Sequence, residues 1–202
     1  MMSMPAFVAS EPVLKVAISV EEYDTAPSAE YQQIAHVLAK KGARLQPLRL
    51  PTRRARNLFS DKKLDCLIDF SHFSSESDQA NGLLLSLPLS THVFYFFTAS
   101  DVSPLTSIED AQGLVIGVPT RYEHYLKPLL TSIRAIEWAR SEKQLVEMLK
   151  LERIDAILAA FPYMELYRSE LSYQEISPFR PATKHLICRQ SDYTAKIMKW
   201  LL

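Results

Sequence analysis

Apolar positions along this chain switch repeatedly between a period of two and a period near four, and that switching predicts the architecture. Residues 13–20 (VLKVAISV) are β-branched and apolar, reading as a buried strand that stops at Glu21, Glu22, Tyr23 and Asp24. From Ser28 the spacing becomes helical: Tyr31, Ile34, Ala35 and Leu38 recur at i, i+3, i+4 and i+7, and Gly42 supplies a C-terminal stop. Residues 44–50 alternate as a strand, Pro51 opens a basic helix reaching about Lys62, and 64–70 (LDCLIDF) form a third strand. The order β-α-β-α-β needs crossover helices and therefore parallel strands.

A polar stretch of small residues, 71–82 (SHFSSESDQANG), reads as a loop, and 83–97 (LLLSLPLSTHVFYFF) as strand on either side of Pro88. A long strand after one βα series and before another is where a chain passes from one lobe to a second. The second series is sharply punctuated. Ser107 and Asp110 have capping-box spacing before Gly113, and 114–118 is a buried strand. Tyr122, Tyr125, Leu126, Leu129 and Leu130 share a helical face that Pro128 interrupts. Residues 135–139 form a short strand, SEKQ at Ser141 caps a helix with Leu145, Met148 and Leu149 inward, and 155–160 is the next strand. Residues 162–168 are helix-like, 173–176 strand-like, 185–189 (HLICR) an apolar return strand and 193–202 a last helix. The fold class expected is α/β with two lobes joined by two crossing strands and a cleft between them. Lobe one takes 13–97 plus 184–202, and lobe two takes 98–183.

Composition narrows the function. Lys and Arg number 23, as do Asp and Glu, so no overall field draws this 202-residue chain to nucleic acid. The 4 glycines stand alone at Gly42, Gly82, Gly113 and Gly117, which excludes the clustered glycines of nucleotide-binding loops. His36, His72, His92, His124 and His185 have no metal-ligand spacing, and no GxSxG elbow or nucleophilic cysteine setting exists. No metal, cofactor or catalytic residue is therefore assigned. Residues 1–10 (MMSMPAFVAS) end in small residues of the kind signal peptidase accepts ahead of Glu11. Residues 1–12 thus read as the remnant of a signal peptide begun upstream, the other reading being a frayed terminus. Cys66 and Cys188 sit in strand-like apolar contexts and are expected as buried free thiols, the other reading being a disulfide.

The segments SLPLSTHVFYFF, SIEDAQGLVIGVPTRYEHYL, QLVEMLKLERIDAILAA and HLICRQSDYTAKIMKW, in that order and spacing, resemble the type II periplasmic binding proteins. Within them the chain is similar to the extracellular solute-binding proteins of family 3, which include the amino-acid binders of ABC importers. The resemblance runs from Val13 over nearly the whole chain. It implies an exported, periplasmic monomer that holds a small-molecule ligand by hinge closure and delivers it to ABC transporter membrane subunits. Two alternatives share the fold: an orphan or sensory ligand-binding protein, and an enzyme.

Ligands of open α/β sheets bind beyond the carboxyl ends of strands. In lobe one this selects Tyr23 after the first strand and Asp69 and Ser71 at the third, with His72 more often a surface residue and the basic face around Arg54, Arg53 and Arg56 solvated. In lobe two, Pro119 starts a helix where Thr120 could cap and Arg121 could grip a carboxylate, the place where the family holds one; the other reading is an ordinary N-cap and a solvated arginine. Tyr122 is either a pocket wall or core. The family's arginine before the hinge strand is missing from 83–93, and its acid after the Arg-x-Asp-Ala strand is replaced by Ala160 or Phe161. Asp155 matches a structural position. Phe161, with Pro162 and Tyr163, points to an apolar or aromatic pocket, and the ligand expected is a small anionic or aromatic molecule.

Overall fold

The structure is a computed structural model that describes residues 13–19, 28–70, 82–161 and 163–201. Its first sheet is wound by β1 (Val13–Ser19), α1 (Ala29–Ala39), β2 (Arg44–Leu50), α2 (Thr52–Ser60) and β3 (Cys66–Phe70), three parallel strands in the spatial order β2-β1-β3. Short strands β4 (Leu83–Leu85) and β5 (Ser90–His92) follow. The second sheet repeats the plan. After β6 (Phe94–Ala99) come β7 (Val115–Pro119), a 3-10 turn at Thr120–Tyr122, α3 (Glu123–Leu126), β8 (Ala135–Ala139), α4 (Glu142–Lys150) and β9 (Ala156–Ala160), again ordered second, first, third. The chain closes with β10 (Leu171–Tyr173), β11 (Ala182–Arg189) and α5 (Asp192–Met198). In each sheet an antiparallel strand lies beside the third parallel one: β11 against β3, and β6 against β9. Beyond these, β4 and β5 pair with β11, and β10 pairs with β6.

Period-two burial explains the layering. On β1, Val16 packs with Ile34 and Leu38 of α1 and Ile197 of α5, while Ala17 packs with Ala55 and Phe59 of α2. On β9, Leu158 and Ala160 face Leu126 and Leu130, whereas Ile157 and Ala159 face Leu145, Val146 and Leu149 of α4. Helix ends follow local chemistry. The Ser28 hydroxyl accepts from Tyr31 N–H at 3.3 Å, and α1 exits through Gly42 at φ 79°. The same left-handed exit is taken by Lys62 (φ 60°) after α2 and Glu152 (φ 54°) after α4, where Lys63 N–H reaches Leu58 O at 2.9 Å and Arg153 N–H reaches Met148 O at 2.9 Å. Ser107 and Asp110 cap each other reciprocally at 3.2 and 3.0 Å. Asp155 accepts from Val115 N–H at 2.7 Å and fixes the start of β7.

Several expectations change. Cys66 and Cys188 are not free thiols. They stand directly opposite one another on β3 and β11 and form a disulfide. Passage between the sheets falls at Val93, since Phe94 pairs with Ala160; residues 94–97, placed in lobe one from sequence, belong to the second sheet. Ala182, the first residue of the returning β11, pairs with His92, so the two crossings run side by side. The helix expected after Pro119 is only a 3-10 turn and the four-residue α3. A 3-10 helix, Glu165–Glu170, stands where 162–168 was expected to be helical. The expectation for residues 1–12 lies outside the described residues.

Candidate functional site

In each sheet the winding direction reverses between the first and third parallel strands, and such a reversal opens a crevice at the strands' carboxyl ends. Both crevices face one cleft. From the first sheet it is lined by Ile18 at the end of β1, by Ile68, Asp69 and Phe70 at the end of β3, by Ser28 and Glu30 at the start of α1, by Thr52 and by Lys184. From the second come Arg121, just after β7, and Tyr163, just after β9. The space is about 540 Å³ when the volume open to solvent is counted.

Its charges are matched in pairs. The Arg56 guanidinium turns inward and binds both carboxylate oxygens of Asp69, the contact between Nη2 and Oδ1 measuring 2.7 Å. Asp69 also accepts from Phe70 N–H at 2.8 Å. Lys184 lies 3.6 Å from Glu30, whose carboxylate accepts from the Ser90 hydroxyl at 2.8 Å, and its ammonium sits 5.2 Å from the centre of the Phe70 ring. Burial alone would raise the Glu30 pKa, but Lys184 and hydrogen bonds from its own backbone, Ser90 and Ser28 outweigh it, and the carboxyl is held below its usual range. Across the cleft, Arg121 donates to Glu142 at 2.7 Å and stacks 4.4 Å from the Tyr163 ring centre. Each pair is largely shielded from water: side-chain exposure is 13% for Arg121 and 8% for Glu142.

Beneath the cleft, at the crossing, sits His92. Its ring meets Phe70 edge-on at 4.9 Å, stacks with Tyr163 at 5.9 Å, and brings Nδ1 to 3.5 Å from the Tyr122 hydroxyl. Burial, helped by Lys184 and Arg121 against Glu30, lowers its pKa to about 4, so it is neutral near pH 7.

The residues singled out from sequence divide accordingly. Asp69 and Arg121 line the cleft, each already engaged by a partner of opposite charge. Tyr122 is fully buried among Phe70, Phe94 and His92 and is core, not wall. Thr120 is exposed; its hydroxyl donates to Ala139 O at 2.9 Å, which ties β7 to β8 instead of capping a helix. Phe161 stands one residue past Ala160, and strand alternation sends it to the opposite face of the sheet, among Tyr95, Phe97 and Tyr173. Arg56, expected on a solvated face, is the partner of Asp69. Tyr23, Ser71, His72 and Pro162 lie outside the described residues. Sequence reasoning missed Glu30, Lys184 and His92. Glu30 carried a signal, being in the first turn of the helix that follows the first strand; Lys184 and His92 are placed only by the pairing of β11 with β3 and β5.

No family model matches the chain, and no curated protein sequence matches it. Solved structures do. It is similar to the GluR0 ligand-binding core in complex with L-glutamate, with a TM-score of 0.75 at 14% identity over 96% of this chain and 92% of that one. It is similar to a Gly52Ala mutant of arginine-bound ArgBP from T. maritima, at TM-score 0.69 and 15% identity over 94% and 92%. A histidine kinase sensor domain with similarity to periplasmic binding proteins gives 0.72 at 14% identity over 95% and 89%. With the sheet order and the shared cleft already described, these likenesses establish that the chain has the two-lobed α/β fold of the type II periplasmic binding proteins.

Proposed function

We propose that the protein is a solute-binding protein that captures a small anionic or aromatic ligand between two lobes, each built on one sheet. The lobes close by bending at the paired crossings near Val93 and Ala182, and the loaded protein, working as an exported periplasmic monomer, docks on the membrane subunits of an ABC importer. One observation carries this reading: a single cleft is lined by Asp69, Phe70, Glu30 and Lys184 from the first sheet and by Arg121 and Tyr163 from the second, so a ligand there touches both lobes and closure is coupled to binding. Amino-acid ABC transporter substrate-binding proteins of the same fold support the role. The Cys66–Cys188 disulfide supports an oxidising compartment. The sensor-domain likeness favours a second reading, in which the same closure feeds a signal in place of transport.

The test is a thermal-shift and calorimetric screen of amino acids, polyamines, carboxylates and aromatic compounds, followed by small-angle X-ray scattering with the best binder. A true ligand at about a hundred times its Kd stabilises the folded form by roughly 2.7 kcal/mol, and closure reduces the radius of gyration. A chain that answers to no compound class, or binds without compaction, is not a closing solute-binding protein.

A further inference from the structure

On the reading that the cleft binds a small ligand, the structure assigns that ligand a chemical class: an uncharged molecule presenting an aromatic or heteroaromatic face. The argument is electrostatic. Among the described residues, the ionic side chains that line the cleft are Glu30, Asp69, Arg121 and Lys184. Each is already committed to an opposite charge: Glu30 to Lys184 at 3.6 Å, Asp69 to both donors of Arg56, and Arg121 to Glu142 at 2.7 Å. The described cleft is thus neutral and internally compensated. A charged ligand that draws its complement from these residues takes it from one of the shielded pairs and leaves that pair's other member buried and uncompensated. A neutral ligand leaves all three pairs intact.

What the cleft offers instead is π surface. Tyr163 from the second sheet and Phe70 from the first both reach it, each with a cation over its ring, Arg121 at 4.4 Å and Lys184 at 5.2 Å. A flat ring entering between the lobes extends these stacks. Ser28 and Thr52 also lie on the lining.

The experiment uses a triad matched in shape and differing in charge: benzamide, benzoate and benzamidine, with the pair nicotinamide and nicotinate as a second ring, titrated by calorimetry at low and high salt. The amide is expected to bind at least tenfold more tightly than its charged counterparts, with an affinity that salt leaves unchanged. A carboxylate or amidine that binds as well as its amide overturns the assignment while leaving the capture function standing. Glu30→Gln supplies an independent arm, because it releases Lys184. This variant is expected to bind benzoate at least tenfold more tightly than the wild-type chain. An unchanged benzoate affinity in a folded Glu30→Gln protein, checked by circular dichroism, overturns the pairing argument whatever the natural ligand is. Should every compound of every charge class fail on the wild type, it is the capture function itself that falls.

Discussion

Breaking the Cys66–Cys188 disulfide is expected to cost most of the stability that one covalent link can supply. The bond joins β3 to β11 directly across the first sheet, and the segment it closes, with a sequence separation of 122, contains the whole second sheet. Chain-entropy arithmetic for such a loop gives about 16 cal/mol/K, or about 5 kcal/mol at 25 °C, by which the link penalises the unfolded chain. Native disulfides commonly return somewhat less than that, so a loss of roughly 3–5 kcal/mol is expected, and a melting temperature lower by roughly 8–15 °C for a chain of this size. Guanidinium unfolding of the oxidised and the reduced wild-type protein makes the comparison with every side chain retained. A Cys66→Ala/Cys188→Ala double variant then adds only the small cavity cost of two buried sulfurs. The oxidised chain should also show a smaller denaturant slope, because its unfolded state is cross-linked and exposes less surface. Midpoints that agree within the equivalent of 0.5 kcal/mol, or maleimide labelling of both cysteines in the unreduced protein, would refute the reasoning and remove the support it lends to an oxidising compartment.

Acid should weaken the fold through His92: an unfolded histidine takes its proton near 6.5 and the buried one only at about 4, so the unfolded state binds more protons between these values. Stability therefore falls as pH drops through that window, by up to about 3 kcal/mol at its lower end, and His92→Gln should flatten the slope in denaturant titrations at pH 7, 5.5 and 4. At Gly117 a Cβ would stand 2.5 Å from Ile154 Cδ1 and 2.6 Å from Leu145 Cδ2; Gly117→Ala should cost about 1–3 kcal/mol, partly recovered on adding Ile154→Val, as thermal melts of the three chains will show. Glu152 ends α4 at φ 54°, where glycine is unstrained, so Glu152→Gly should raise stability by about 0.5–1 kcal/mol, and a loss in the same assay would count against it.

Strands and crossover helices were legible because each carries its own period and punctuation. Val16 and Ala17 bury on opposite faces of β1 as a fully covered parallel strand must, and Ser28 and Gly42 bracket α1 as their chemistry dictates. The misplacements occurred where a local pattern admits two geometries. Tyr122, Tyr125 and Leu126 have helical spacing, yet with Pro128 behind them they make only a 3-10 turn and one short helix, which buries Tyr122. Phe161 is out of phase with the cleft: strand alternation turns Ala160 toward the face that adjoins it and Phe161 the other way, and Tyr163 reaches the lining from beyond the end of β9. The two cysteines looked alike as isolated apolar positions, and only the antiparallel register of β11 against β3 sets them opposite each other.

The chemistry of the cleft was least legible, because it resides in pairs whose members are remote in sequence. Glu30 and Lys184 meet because β11 returns from the second sheet to lie beside β3, with Lys184 paired against Phe70 and Ser90. Arg121 and Glu142 meet because the turn after β7 and the start of α4 lie at the same end of the second sheet. The arginine and the acid that the family resemblance implies are missing from their usual places, and the sequence therefore points to an apolar or aromatic pocket. The cleft is instead rich in charge and holds that charge in compensated pairs, so losing a ligand's counter-ions is not the same as losing polarity. On the proposed function, selectivity depends on how firmly each pair holds together when the lobes shut, since closure would lower the local dielectric and strengthen the internal pairs as much as any new one. The crossing residue His92, neutral and packed among Phe70, Tyr122 and Tyr163, adds no charge of its own at that junction, and the compensation above it is left undisturbed.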